Sequence, residues 1–354
     1  MSLPERIAAL ATLSLLISQP VLADPFAEGS MTVFAGGDAR ETRLAIAEAP
    51  TLTVFDDDGP RAVAVDANWP KVQGEGHFKL SLGQRHETTR WNIGVDGGPN
   101  VLSELRWQVP ASEVRVDGVW THTSGFTVKS FLAYAQSFAG GEVQDSDYLL
   151  DNRQAEFSRS YASPTGSRML DISIGAGWKL PLGRTASLTP MLGFARYDSR
   201  YRMRDGRQVL SDYGLAPPLG TIGGLDSKYN PVWNSVWFGI DGQLQATGKL
   251  ALRSEIKKHY FRYEAEANWN LRSSYAHPVS FVHQGDGSGW SAVVGADWQL
   301  ARDQRLTLDL SKRDFRLRNG TDTTYLSDGS SSSTRLNEVI SDSWSAHLGY
   351  RVEY

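Results

Sequence analysis

The chain has 354 residues, enough for one large domain or two ordinary ones. Its 36 Lys and Arg against 40 Asp and Glu leave a net charge of −4, so no overall basic field invites nucleic acid, and the absence of cysteine excludes disulfides, thiolate metal sites and a cysteine nucleophile. Past the N-terminus no apolar run reaches the ~18–20 residues a membrane helix needs; a transmembrane β-barrel stays open, because its strands alternate and escape a hydropathy average.

The apolar stretch Ile7 to Leu22, followed by Ala23 and the polar Asp24, reads as a cleaved export signal over residues 1–23. Export without cysteines suits the envelope of a Gram-negative cell. Residues 24–74 form an acidic tract containing Asp56-Asp57-Asp58 and two β-prone pieces, Leu52 to Phe55 and Ala62 to Val65. That tract reads equally as a periplasmic arm, a plug or a disordered lead-in.

From residue 75 onward the dominant signal has period two. Strands are predicted at 76–95, 101–109 and 125–138, with a further seven between the loop at 139–168 and the C-terminus. The last alternates Trp344, Ala346, Leu348, Tyr350, Val352 and Tyr354 against Ser345, His347, Gly349, Arg351 and Glu353. Each alternating stretch is about the ~9–11 residues that cross a bilayer when tilted. Short turns at Pro181–Thr185, Ala246–Lys249 and Ala301–Gln304 separate long polar loops at 139–168, 204–231, 264–287 and 319–341. Strict short–long alternation puts every long loop on one side, as in outer-membrane barrels, and a soluble sandwich has no reason for it. Residues 110–124 also alternate and would make eleven strands. Barrels of this class keep an even number, so that segment is read as a long periplasmic connection. The reading is all-β: a ten-stranded antiparallel transmembrane barrel in the outer membrane.

Outward apolar series give way to charge near one end of several strands. Leu188, Pro190, Leu192 and Phe194 are followed by Arg196, Asp198 and Arg200; Leu252 and Ile256 by Lys258 and Arg262; Leu310 by Lys312 and Asp314. The strands are therefore expected to run on past the lipid. Arg253, Glu255, Lys257, His259, Asp297, Asp309 and Arg351 would line a charged, hydrogen-bonded lumen.

The candidate for chemistry is Gln144-Asp145-Ser146-Asp147-Tyr148. Two carboxylates two residues apart on an extended chain point the same way and repel, so one is expected to keep its proton near neutral pH, or both to share a cation or a water. A polar surface loop with Asx-turns explains the same spacing. A calcium loop through Asp145, Asp147 and Asp151 lacks the glycine and distal glutamate such loops use. Hydrolase elbows, P-loops and zinc-protease motifs are absent from the sequence.

Over residues 76–354 the chain resembles the omptins, ten-stranded outer-membrane proteases. The resemblance is carried by Leu80-Ser81-Leu82-Gly83, Ser103-Glu104-Leu105-Arg106-Trp107, Gly140 to Tyr148 and Ser199-Arg200-Tyr201, in that order. It implies an Asp-Asp pair, here Asp145 and Asp147, facing an Asp-x-His pair that together activate a water. At the top of the strand beginning at Lys249, Glu266 stands for the aspartate and Asn268 for the histidine. Asparagine takes up no proton near pH 7 and cannot be the general base. His277 and His283 in the following loop are the substitutes available, and His259 lies lower, inside the lumen. The resemblance also implies a lipopolysaccharide site on the outer wall, drawn here as Arg196, Asp198, Arg200, Lys258, Arg262 and Lys312.

The sequence therefore predicts a non-proteolytic omptin-type barrel that presents its loops as a binding or structural surface. An endopeptidase with a displaced base is the alternative and a polymer-export channel the third. Predicted partners are outer-membrane lipid, lipopolysaccharide and surface polypeptide or polysaccharide. No metal or other cofactor is called for.

Overall fold

The computed structural model describes residues 73–354 in full, together with four short strands nearer the N-terminus. The predicted signal segment 1–23 lies outside the described residues. In the N-terminal unit β1 (Ser30–Phe34) pairs with β2 (Glu41–Ala45), and β3 (Thr51–Asp56) with β4 (Gly59–Ala64), each antiparallel.

The second unit, Gly74–Tyr354, is a closed ring. In chain order its strands are β5 (Gly74–Gly94), β6 (Ser103–His122), β7 (Phe126–Gln136), β8 (Glu142–Leu150), β9 (Gln154–Ser163), β10 (Arg168–Trp178), β11 (Leu180–Leu182) and β12 (Ala186–Ser211). They continue as β13 (Gly220–Gln245), β14 (Leu250–Asn268), β15 (Phe281–Ala301), β16 (Gln304–Tyr325) and β17 (Ser331–Glu353). The wall runs β5-β6-β7-β10-β12-β13-β14-β15-β16-β17 and returns to β5, giving ten antiparallel strands. Closure pairs the backbone polar groups that an open sheet would leave bare in lipid.

Two expectations are corrected. Residues 110–124 are no periplasmic connection: β6 runs unbroken from Ser103 to His122, and the turn is only residues 123–125. The segment at 139–168 is not a loop either, because β8 and β9 form a hairpin within it. The lower half of β6 pairs with β7 and its upper half with β8, while β9 joins β12. The strand thus changes partner across residues 137–141, and Pro110 sits opposite that break. Its missing N–H costs no ladder bond there, which is how a proline survives inside a barrel strand. Gly141 closes the seam with φ +80°, where a Cβ would overlap the Gln108 carbonyl oxygen and lie 2.6 Å from Pro110 Cδ.

Alternation places apolar side chains outward. On β17, Trp344, Leu348 and Tyr350 are 50%, 58% and 43% exposed, whereas Ser345, His347 and Arg351 are buried. Exposed Leu192, Phe194, Phe238, Ile256, Val294 and Leu308 carry the same belt around the wall. Trp178, Trp298 and Tyr350 mark its lower edge, and Tyr260, Trp290 and Trp344 its upper one, as amphipathic rings do at a bilayer interface. β12 and β13 have 26 residues each, more than twice the ~9–11 needed to cross, so the sheet continues far above the belt.

The lumen is filled. Lys79 donates to Asp309 at 2.6 Å, and Arg253 bridges Asp297 (2.8 Å) and Asp309 (2.7 Å). Higher up, Arg85 and Arg313 share Asp171 at 2.7 and 3.1 Å and both reach Glu87. Above these lie the fully buried rings of Trp107, Tyr201, Tyr229, Trp233, Tyr263 and Phe315. A cavity of about 370 Å³ remains toward the periplasmic end, lined by His77, Lys79, Asp117, Asp241 and Tyr354 among others.

Candidate functional site

At the extracellular mouth β8 lies between β6 and β9, and register fixes its side chains. Asp147 is level with Ser103 on one side and Ser158 on the other; Asp145 is level with Leu105 and Ser160. Asp145 and Asp147 share a face and are half-buried, while Gln144 and Ser146 hydrogen-bond to each other on the opposite face at 3.1 Å. Burial, then the charge of Asp147, push the Asp145 carboxyl well above the ordinary carboxylate range. Burial also raises Asp147, opposed by hydroxyl bonds from Ser103 and Ser158 and by Arg272. The pair therefore holds a proton more readily than free carboxylates do.

Arg272 and Tyr275 belong to residues 269–280, between β14 and β15. The Arg272 charge counters the rise at both carboxylates, and burial raises the Tyr275 pKa, with the nearby negative charges adding to that rise.

Glu266 and Asn268 are not brought to the pair. Ala265 and Ala267 are buried inward, so the intervening Glu266 is exposed on the outer wall and Asn268 follows on the same side. There Asn268 Oδ1 is 3.0 Å from His277 Nδ1, an exposed contact. His259 is buried in the lumen between Ser235 and Ser291, at 3.2 and 3.0 Å. His283 is in no loop: it is on β15, faces inward and is completely buried. Its Nδ1 lies 2.9 Å from the Tyr229 hydroxyl, which meets Tyr263 at 2.5 Å, and its Nε2 is 3.3 Å from Asp322 Oδ1. Trp91 packs edge-on against the imidazole at 4.8 Å. Burial lowers the His283 pKa, against the pull of Asp322. Asp322, directly across from His283 on β16, was missed by sequence reasoning because the two are 39 positions apart and meet only through strand pairing.

The outer-wall residues divide. Arg196, Asn234 and Arg262 fall on one row across β12, β13 and β14. Arg196 donates to Asn234 at 3.0 Å and to Asp198 at 3.1 Å, Arg200 is 3.9 Å from Asp198, and Arg262 is 3.9 Å from Asp286. Beneath that row runs an exterior groove of about 700 Å³, walled by Ile172, Phe194, Val236 and Tyr260. Lys258, lower on β14, donates to Ser288 at 3.0 Å. Lys312 is on a different wall, bound to Asp342 at 2.5 Å.

In sequence, residues 79–352 match the family model described as Pom, Protochlamydia outer membrane protein. No curated protein matches. Among solved structures the chain is similar to the outer membrane protease OmpT of Escherichia coli, with TM-score 0.67 and 12% identity over 80% of this chain and 98% of that one. OprG of Pseudomonas aeruginosa aligns with TM-score 0.32 and 9% identity over 80% and 97%. The OmpT likeness is one of fold. The chain belongs to the Protochlamydia outer membrane protein family and is a β-barrel of the outer membrane.

Proposed function

We propose that the protein is a non-proteolytic relative of the omptins whose extracellular sheet serves as a binding surface. The observation that carries this reading is the composition of the wall at the mouth. The inward positions of β14 are Ala265 and Ala267, and the only histidine facing the mouth interior among the described residues, His283, is sealed from solvent. A general base must come within hydrogen-bond reach of the water it activates. A buried imidazole held by Tyr229 and Trp91 offers no such approach. The filled lumen argues equally against polymer export.

The endopeptidase reading keeps one supporting observation. The Asp145–Asp147 pair on β8 and the His283–Asp322 pair on β15 and β16 both stand at the extracellular mouth. Purified protein refolded with lipopolysaccharide, incubated with quenched fluorescent peptides carrying Arg-Arg and Lys-Lys pairs, decides between the two. No signal above a detergent blank is the result of the proposal. Cleavage lost in both Asp147→Ala and His283→Ala would establish the enzyme.

For the outer wall we propose a lipopolysaccharide site built on Arg196, Arg200 and Arg262. Guanidinium groups grip phosphate bidentately, and the groove beneath them is apolar enough to take acyl chains. Asp198 orients the two arginines of β12, and Lys258 extends the row downward. The salt-bridged Lys312 contributes to the rim of another wall.

A further inference from the structure

Arg90 on β5 is level with Arg106 on β6, and the inward burial of Trp91, Leu105 and Trp107 turns both arginines to the outer wall. Residues directly opposite on paired strands have Cβ atoms ~5 Å apart, and like charges placed there are destabilising. The carboxylates around them are engaged elsewhere. Arg153 holds Glu104 at 3.1 Å, Lys312 holds Asp342 at 2.5 Å and Arg316 holds Asp314 at 2.9 Å, while Glu338 accepts from Asn92 at 3.2 Å. Among the described residues Arg90 makes no ion pair, and Arg106 makes only a 3.5 Å hydrogen bond to Gln144. One row below, Thr88 is level with Gln108, and neither side chain is hydrogen-bonded. Register thus fixes two free cations above two free neutral polar groups. Trp344, at the upper edge of the belt, is level with His86, so Arg90 four positions on stands ~10 Å above the lipid.

We propose that Arg90 and Arg106 clamp the phosphate of a phosphorylated sugar chain, with Thr88 and Gln108 taking its hydroxyls. This rests on the reading of the extracellular sheet as a binding surface and names a ligand class for a wall that shares no strand with the β12–β14 row. A guanidinium takes one edge of an oxyanion with two parallel N–H bonds. A carboxylate has a single edge, which one arginine satisfies, whereas a tetrahedral phosphate offers edges to both. Its charge of about −1.5 to −2 also balances the pair and cancels their repulsion. Height selects the sugar: the patch stands above the acyl chains, among the carbohydrate of the outer leaflet and the medium. Two sources carry that chemistry, the phosphorylated core of lipopolysaccharide and a free phosphorylated polymer.

The probe is a fluorescently labelled, phosphorylated core oligosaccharide freed from its lipid by mild acid, titrated onto the full chain refolded in micelles without lipopolysaccharide. The proposal predicts saturable binding that weakens about tenfold in Arg90→Gln and in Arg106→Gln. Binding should vanish in the double variant and with dephosphorylated oligosaccharide. It should hold in Arg302→Gln, which removes the same charge from the turn between β15 and β16. Without ligand, Arg90→Gln should raise the thermal midpoint at low salt by relieving the repulsion, and high salt should erase the gain. No saturable binding, indifference to dephosphorylation, binding kept in the double variant, or a midpoint lowered by Arg90→Gln would overturn the clamp. Intact lipopolysaccharide that displaces the probe assigns the site to the membrane's own lipid, and failure to displace it assigns the site to a free polymer. Peptide cleavage sinks the non-proteolytic reading and leaves the clamp standing; no cleavage with no oligosaccharide binding sinks the clamp alone.

Discussion

Replacing Gly141 by alanine tests the seam at which β6 exchanges β7 for β8. Gly140 and Gly141 have nearly the same backbone, φ +76° and +80°, so a side chain at either meets the same left-handed penalty, ~1 kcal/mol. Their surroundings differ. At Gly140 the nearest atom to an added Cβ is Pro110 Cγ at 3.6 Å, ordinary contact. At Gly141 the Cβ would overlap the Gln108 carbonyl oxygen and lie 2.6 Å from Pro110 Cδ and 2.8 Å from Pro164 Cγ. Backbone and two proline rings give little, so overpacking adds ~1–3 kcal/mol. Gly140→Ala should thus cost about 1 kcal/mol and Gly141→Ala about 2–4 kcal/mol. Urea unfolding in lipid vesicles, followed by tryptophan fluorescence and by gel migration of unheated samples, measures both. Equal losses, or a larger loss at Gly140, would refute the seam.

The remaining predictions concern the charged interior, the mouth and the outer wall. Asp171→Ala removes a carboxylate that the buried guanidinium groups of Arg85 and Arg313 share, leaving Glu87 as their remaining common partner, and should cost ~3 kcal/mol in the same unfolding assay. Because the Asp145 and Asp147 carboxyls have raised pKa values, the native state binds protons more tightly than the unfolded chain. Their contribution is most favourable below the unfolded pKa near ~4 and is lost as pH rises through the native values. Asp145→Asn should accordingly raise the unfolding midpoint at pH 8 and leave it nearly unchanged at pH 4. Arg196→Ala with Arg200→Ala should weaken lipopolysaccharide binding and lower thermal stability only when that lipid is present; equal changes with and without it would assign the arginines to the fold.

Wherever a strand has lipid on one side and the lumen on the other, its sequence declares it. The alternation Trp344, Leu348, Tyr350 against Ser345, His347, Arg351 reappears as exposed against buried side chains. Above the membrane both faces meet polar surroundings, so Glu142–Leu150 and Gln154–Ser163 lose that signature and read as loop. Residues 110–124 were set apart by strand parity alone, whereas β6 runs through them, with a partner change opposite Pro110 that depends on Gly141, thirty-one positions away. The parity of β14 was legible: Leu252, Ile256, Lys258 and Arg262 are outward, so Glu266 and Asn268, also even-numbered, had to follow them. Matching a family motif overrode that count. The His283–Asp322 pair had no comparable signal, since nothing in a single sequence sets the register of β15 against β16.

The central claim, a barrel that has lost proteolysis, is met most directly by a proteome-derived peptide library. The library is incubated with the refolded, lipopolysaccharide-loaded protein and read by mass spectrometry for new termini, with OmpT as the positive control. The account predicts no termini beyond those in a barrel-free sample, at pH 5 through 8. A reproducible set of new termini that vanishes in Asp147→Ala and again in His283→Ala would contradict it.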